Sequence, residues 1–264
     1  MESLGISDIY SNIDVFLCIL VRFFAFMTIM PIFSGQKIPA TIRIMMGVAV
    51  SSLVVASGTV GEINYEQTAI GYAALILTEF LTGFIIGFVV YFMFSVFHFV
   101  GQMVDYQLGF SMASVLDPGS GEQVSVTGNL FYLAVMVLFV IGGGLDYFIK
   151  IVFDSYSIIP PGQADLFANG ELAHDIVVMI TRYFEIGMII ALPVIGAVVI
   201  IDIALGLLTK AVPQMNVFVV GIPVKLFAGL IILGMLTPSL LEGFRLVYNY
   251  TVEYTDVVIR GLAQ

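Results

Sequence analysis

The sequence predicts an all-α protein of integral-membrane type, built from helical hairpins with irregular breaks, and three observations predict it. The chain is 60% hydrophobic and 11% charged over 264 residues, with a mean hydropathy of +1.08, well beyond the roughly half apolar content of soluble domains. Its apolar stretches cover about 13–34, 42–57, 69–100, 125–149, 176–208 and 217–241, and most reach the roughly 20 residues that a spanning helix needs. Residues 210–225 then interrupt the pattern with Lys210, Pro213, Gln214, Asn216, Gly221, Pro223 and Lys225. In hydrocarbon each unsatisfied backbone group costs several kcal/mol, so so many breaks and polar groups must be covered by protein or line a watery space. The segment points to an assembled conduit.

Taken in order, the N-terminus carries Glu2, Asp8 and Asp14 where a signal peptide would carry positive charge, so the first helix is expected to stay in place. The stretch 42–57 is short for a span. In 69–100, Gly83 and Gly87 make a small face beside a stripe of Phe80, Phe84 and Phe88, a pattern that lets helix backbones approach closely. Residues 101–124 mix Gly and Ser with the exposed-looking Met103, Phe110 and Met112, and Asp117-Pro118-Gly119 is a turn signal. Two readings of this loop stay open: an ordinary connector, or a deformable apolar tip able to close a pore reversibly. Gly142-Gly143-Gly144 ends the regularity of 125–149, and Pro160-Pro161-Gly162 opens a polar linker to about Glu171. The linker divides the chain into 1–170 and 171–264, the second part reading as two long apolar helices joined near Pro213.

A formal net charge of −10 excludes a basic nucleic-acid surface and any large polybasic patch for anionic lipid. Cys18 is the single cysteine and His98 and His174 stand far apart, so neither a disulfide nor a metal site is expected. A Gly-rich phosphate loop, a Ser/His/Asp set and a His-Glu-x-x-His motif are all missing, so no cofactor and no catalytic residue are expected. Assuming six spans, Lys37, Arg43 and Lys210 fall on one side and Lys150, Arg245 and Arg260 on the other. This tie leaves the chain unoriented by the positive-inside rule.

Arg22, Glu79, Arg182, Glu185, Asp202 and Lys225 all lie within apolar runs. A central charge costs about 2.5 to 3.5 kcal/mol on insertion scales, against a gain of about 0.3 to 0.6 for each apolar residue. Segment 176–208, with three of these charges and Pro193, is therefore expected to face protein or water rather than lipid. Arg182 and Glu185, three apart, fall on one helix face. An antiparallel hairpin bent at Pro213 sets Asp202, eleven residues before it, level with Lys225, twelve after it. Pairs that permit assembly and a proton relay both remain open for these charges.

These residues resemble the FliR family of flagellar type III export-gate proteins and their virulence-secretion counterparts. The most specific stretch is Ala204-Leu205-Gly206-Leu207-Leu208 followed by Pro213-Gln214, Asn216, Phe218, Gly221 and Pro223. Ala191-Leu192-Pro193 fits too, as do Arg22, Pro31 and Pro39, and Gln107-Leu108-Gly109-Phe110-Ser111 with Asp117-Pro118. Lys210 stands where arginine is usual, which keeps the charge but loses the planar fork. Leu145 stands where many members have histidine, which argues against proton chemistry at that position.

The resemblance implies a subunit that joins P-type and Q-type partners, with the B-type switch subunit nearby, in a closed helical gate. That gate would sit in the bacterial inner membrane at the flagellar basal body and pass unfolded flagellar proteins. It implies a P-like part over 1–170, a Q-like hairpin over 171–264, and a channel plug over about 106–123 that includes Gly109, Phe110, Ser111, Met112, Asp117 and Pro118. An injectisome gate is the nearest alternative. A secondary transporter should show paired interruptions in two halves, and only the region around Pro213 is clear. An intramembrane enzyme needs a nucleophile and a base within reach, and the sequence offers no persuasive pair.

Overall fold

In the computed structural model, residues 13–33, 38–58, 60, 63, 68–110, 125–165, 170–214, 216–235 and 237–263 are described. Among them the regular structure is helical throughout: α1 (Ile13–Ile29), α2 (Ala40–Ala56), α3 (Ala69–Phe94), α4 (Val96–Leu108), α5 (Val126–Ile141), α6 (Gly144–Ile158), α7 (Gly170–Ala211), α8 (Val217–Met235) and α9 (Thr237–Gly261).

Local chemistry accounts for several boundaries. Thr68 Oγ1 accepts the Gly71 amide at 3.0 Å and starts α3, as Ser125 Oγ accepts the Gly128 amide at 2.9 Å to start α5. Gly109, at φ 86°, ends α4 in the left-handed region, with the Phe110 amide bonded back to the Asp105 carbonyl at 3.0 Å. Gly143, at φ 79°, separates α5 from α6, where the glycine triplet predicted a break. The expected turn lies at Pro213 and Gln214, between α7 and α8.

Two features differ from expectation. The last part holds three helices rather than two, because the apolar run 217–241 is divided between α8 and α9. The third, α9, presents Glu242, Arg245, Asn249, Glu253, Asp256 and Arg260 as an exposed polar stripe at helical spacing. The apolar run ends where this amphipathic pattern begins.

By internal contacts the chain forms two compact units. One contains the chain up to Met93, Phe139–Met179 and the segment from Tyr250. Its core includes Cys18, Ile19, Phe23, Phe26, Met30, Val90, Phe148 and Tyr156, with Phe148 edge-on to Phe26 at 5.9 Å and close to Phe139 at 4.6 Å. Gly83 and Gly87 of α3 lie directly on α1: a Cβ on either would strike the Arg22 or the Phe26 backbone. The small face predicted from their spacing thus finds its partner in α1.

The other unit contains Phe94–Leu138 and Ile180–Asn249. Val104, Leu108, Val194 and Val198 are buried together, with Leu226, Ile232 and Leu233 packed against them. Phe110 also rests on this cluster, so it is partly buried rather than exposed as its loop setting suggested.

Two helical stretches, Ala69–Leu108 through α3 and α4 and Ala173–Ala211 in α7, are long and apolar enough to cross a membrane, and up to four if two bent pairs each count as one span. The most apolar window of the first is 56% buried within the chain, that of the second 28%. The apolar surface of α7 is mostly open, with Val177, Ile200, Ile203 and Leu207 all exposed.

Candidate functional site: embedded charges, the terminal hairpin and the loop neck

The first constellation lies in the unit that holds α1. Arg22 shares a face with Cys18, Ile19 and Phe26 at spacings of three and four, and that face is buried. Glu79 lies one turn from Gly83 on α3, so the glycine that lets the backbones meet also brings the two charges together. Arg22 Nε donates to Glu79 Oε2 at 2.8 Å and Nη2 donates to Oε1 at 3.0 Å, a two-pronged pair. Nη1 donates to the Ile159 carbonyl at 3.0 Å and reaches the Ser155 carbonyl at 3.3 Å. One cation therefore neutralises Glu79 and caps the C-terminus of α6, taking the Ile159 carbonyl and sharing the Ser155 carbonyl with the Ile159 amide, where a positive charge is favoured.

The surroundings complete the set. Glu79 Oε1 also accepts the Gly162 amide at 2.8 Å, tying down the Pro160-Pro161-Gly162 turn. The Tyr156 ring lies 4.2 Å from the guanidinium carbon, and its hydroxyl donates to the Ile19 carbonyl at 3.0 Å. Arg22 is 1% exposed and Glu79 is wholly buried, so every polar contact here substitutes for water.

The other embedded charges behave differently. Arg182 Nη1 donates to Glu185 Oε2 at 2.5 Å within α7, but their side chains are 42% and 48% exposed. Asp202 of α7 and Lys225 of α8 form an ion pair, also partly exposed. Lying inside an apolar run did not bury these four: among the described residues their side chains stay 24–48% exposed.

Around the hairpin turn, Lys210 occupies the last turn of α7, where its charge complements the helix dipole. Pro213 and Gln214 are exposed, and the Asn216 carbonyl accepts the Val219 and Val220 amides at the start of α8. Gly221 is buried and Pro223 lies inside α8. The side chain of Phe218 lies outside the described residues, as do Ser111, Met112, Asp117 and Pro118 of the expected plug.

Of the expected plug, Gly109 and Phe110 are described and end α4, and Asp105, 5% exposed, reaches across to α5. Its Oδ2 accepts the Ser125 hydroxyl at 2.7 Å and the Thr127 amide at 3.2 Å. Sequence reasoning passed over Asp105. A signal was present: a carboxylate in the last turn of a helix faces the wrong end of the dipole, so it needs a partner elsewhere. Among the described residues no group of three His, Cys, Asp or Glu is placed to hold a metal.

A family model described as bacterial export proteins, family 1, matches residues 13–249. The chain belongs to that family. The match takes in the embedded charges, residues 106–123 and the hairpin turn. The family relatives include the flagellar biosynthetic protein FliR of Bacillus subtilis (strain 168), 28% identical over 248 residues, covering 94% of this chain and 95% of the relative. FliR of Escherichia coli (strain K12) is 25% identical over 83% of this chain and 82% of its own length. The surface presentation of antigens protein SpaR of Shigella sonnei is 28% identical, over 84% of this chain and 86% of its own.

Proposed function

We propose that this chain is an export-gate subunit of a flagellar type III secretion apparatus, forming part of the channel through which unfolded flagellar proteins leave the cell. The observation that carries the reading is the near end-to-end match to a flagellar biosynthetic protein, over 94% of this chain and 95% of the relative. The open apolar face of α7 supports it, since a lone chain with so much uncovered apolar surface needs lipid or partner subunits. On this reading the partners are P-type and Q-type gate subunits and the B-type switch subunit, and the assembly sits in the inner membrane at the basal body. Residues 1–170 act as the P-like part and 171–264 as the Q-like hairpin. The chain acts as a structural conduit rather than an enzyme.

Within that assembly the segment 106–123 closes the channel, and the packing of Phe110 on an apolar cluster fits an adaptable, apolar closing element. The charges of α7 and α8 that lie partly exposed here become covered by neighbouring subunits or channel water. Deleting the gene should abolish flagella and motility, and the tagged chain should co-purify with P- and Q-type subunits. Retained motility in the deletion strain refutes the reading. A second reading, an injectisome gate, is favoured by the similarity to SpaR; motile deletion cells that fail to secrete effectors would select it.

A further inference from the structure

The segment that follows α6 is held from several sides. The Gln163 amide donates to the Pro160 carbonyl at 3.1 Å and Gly162 stands at φ 78°, the pattern of a type II turn with proline and glycine at its two central positions. A Cβ on Gly162 would also strike Leu75 of α3, and the Gly162 amide donates to Glu79 at 2.8 Å. Three residues on, the Asp165 amide donates to the Leu262 carbonyl at 3.0 Å.

Leu262 stands just past the end of α9, among carbonyls that no further helical turn can satisfy, and Asp165 supplies the donor. The stretch that leads to it is built for burial. From Tyr250 onward the chain belongs to the same compact unit as Arg22, Glu79 and the turn. Thr251, Tyr254, Thr255, Val258, Ile259 and Leu262 are all buried and fall on one helix face. Thr255 enters that face with its polar group satisfied, since its hydroxyl donates to the Thr251 carbonyl at 2.6 Å. Glu253, Asp256 and Arg260 take the opposite, exposed face, where Arg260 donates to Asp256 at 2.8 Å. The family match ends at residue 249, so this buried segment lies outside the matched residues.

We propose that residues 250–263 act as a strap: they hold the turn after α6 through Asp165, keep the Gly162 amide on Glu79, and are needed for the chain to enter its secretion complex. Entry into a complex rests on the reading of this chain as a gate subunit, and the hold on the turn does not.

The test uses the full chain expressed with P-type and Q-type subunits. Two quantities are read: the share of the chain that co-purifies with those subunits, and hydrogen exchange at the amides of Gly162 to Asp165, followed by mass spectrometry in the purified material. Leu262→Asp places a charge on the buried face, whereas Arg260→Ala alters only the exposed one. In Leu262→Asp exchange should quicken roughly tenfold or more as local protection is lost, and the co-purified share should fall several-fold. Arg260→Ala should match the parent in both. A chain stopped after Asn249 should not co-purify, although every family-matched residue is present. Where Leu262→Asp yields too little protein, Leu262→Ala carries both readouts, with smaller changes in the same direction. Exchange that stays at the parent's rate refutes the strap, and so does a fall in co-purification without faster exchange. Undiminished co-purification of Leu262→Asp or of the stopped chain refutes the need for the strap in assembly. A parent chain that never co-purifies with those subunits overturns the gate reading instead, and exchange in the detergent-purified chain then still decides the hold on the turn.

Discussion

Arg22→Ala removes the cation that α1, α3 and α6 share. What is left among the described residues is a fully buried Glu79 carboxylate that keeps the Gly162 amide at 2.8 Å, and an Ile159 carbonyl that has lost the Arg22 donor, while the Ser155 carbonyl keeps the Ile159 amide at 2.8 Å. Breaking a buried pair by removing one member typically costs about 3–5 kcal/mol, because the uncompensated charge stays in place. At roughly 2–4 °C per kcal/mol for a chain approaching this size, the loss corresponds to a drop of roughly 6–20 °C in unfolding midpoint. Heating the purified complex in detergent at one fixed scan rate, with intact assembly followed by size-exclusion chromatography, measures it. Arg22→Lys should fall between the two, since a single ammonium cannot reproduce the fork that grips both carboxylate oxygens while also reaching the α6 carbonyls. Replacing both charges, Arg22→Leu with Glu79→Leu, should recover part of the loss, since the uncompensated charge is gone while the Gly162 amide and the Ile159 carbonyl lose their partners at about 1–3 kcal/mol each. An Arg22→Ala shift no larger than the roughly 2–4 °C of a single kcal/mol, or a double variant less stable than either single one, refutes the reasoning.

Three other outcomes follow from the geometry. Asp202→Ala and Lys225→Ala should each impair assembly and secretion, by at most about 3–5 kcal/mol and less in proportion to their exposure; the swap Asp202→Lys with Lys225→Asp should restore part of both, and a swap no better than the worse single variant refutes the pair. Expressed without partners the chain should aggregate or be degraded, because the apolar faces of α7 and α8 are uncovered; a monodisperse folded monomer in mild detergent overturns this. Gly101→Ala should force α4 away from α5, since its Cβ would overlap Gly128, at a cost of about 1–3 kcal/mol; thermal inactivation of the complex reports it, and an unchanged midpoint refutes it.

What was legible in the sequence was what depends on neighbours along the chain. Gly83 and Gly87 announced a close helix contact by their spacing, and Pro213 announced a turn that set Asp202 level with Lys225. The helix break at Gly143 was legible for the same reason, since the glycine triplet stands where the apolar period fails, whereas Gly101–Leu108, read as part of a connector, continues the helix to Gly109. The Arg22 constellation was not. Its partners lie 57 to 137 residues away, and nothing local to Arg22 distinguishes Glu79 from any other carboxylate. Asp105 escaped because its partner Ser125 lies 20 residues further along the chain. The exposure of Arg182 and Glu185 was illegible because it depends on what packs on the α7 face, which no residue near them in sequence specifies. The division near residue 236 was hidden by an apolar run continuing past it, while the polar stripe of α9 gathers only afterwards.

The reach of Arg22 also imposes a schedule on synthesis. Its acceptor at Ile159 lies 137 residues downstream, so at about 5–20 residues per second the ribosome needs roughly 7–27 s to deliver it. Throughout that interval α1 exists with its guanidinium but without the α6 carbonyls. Glu79 comes only 57 residues after Arg22, so the charge is matched when α3 follows, and early release of α1 into lipid is disfavoured only until then. The α6 carbonyls then close the set last, so this one side chain links the first helix to two later stages of synthesis.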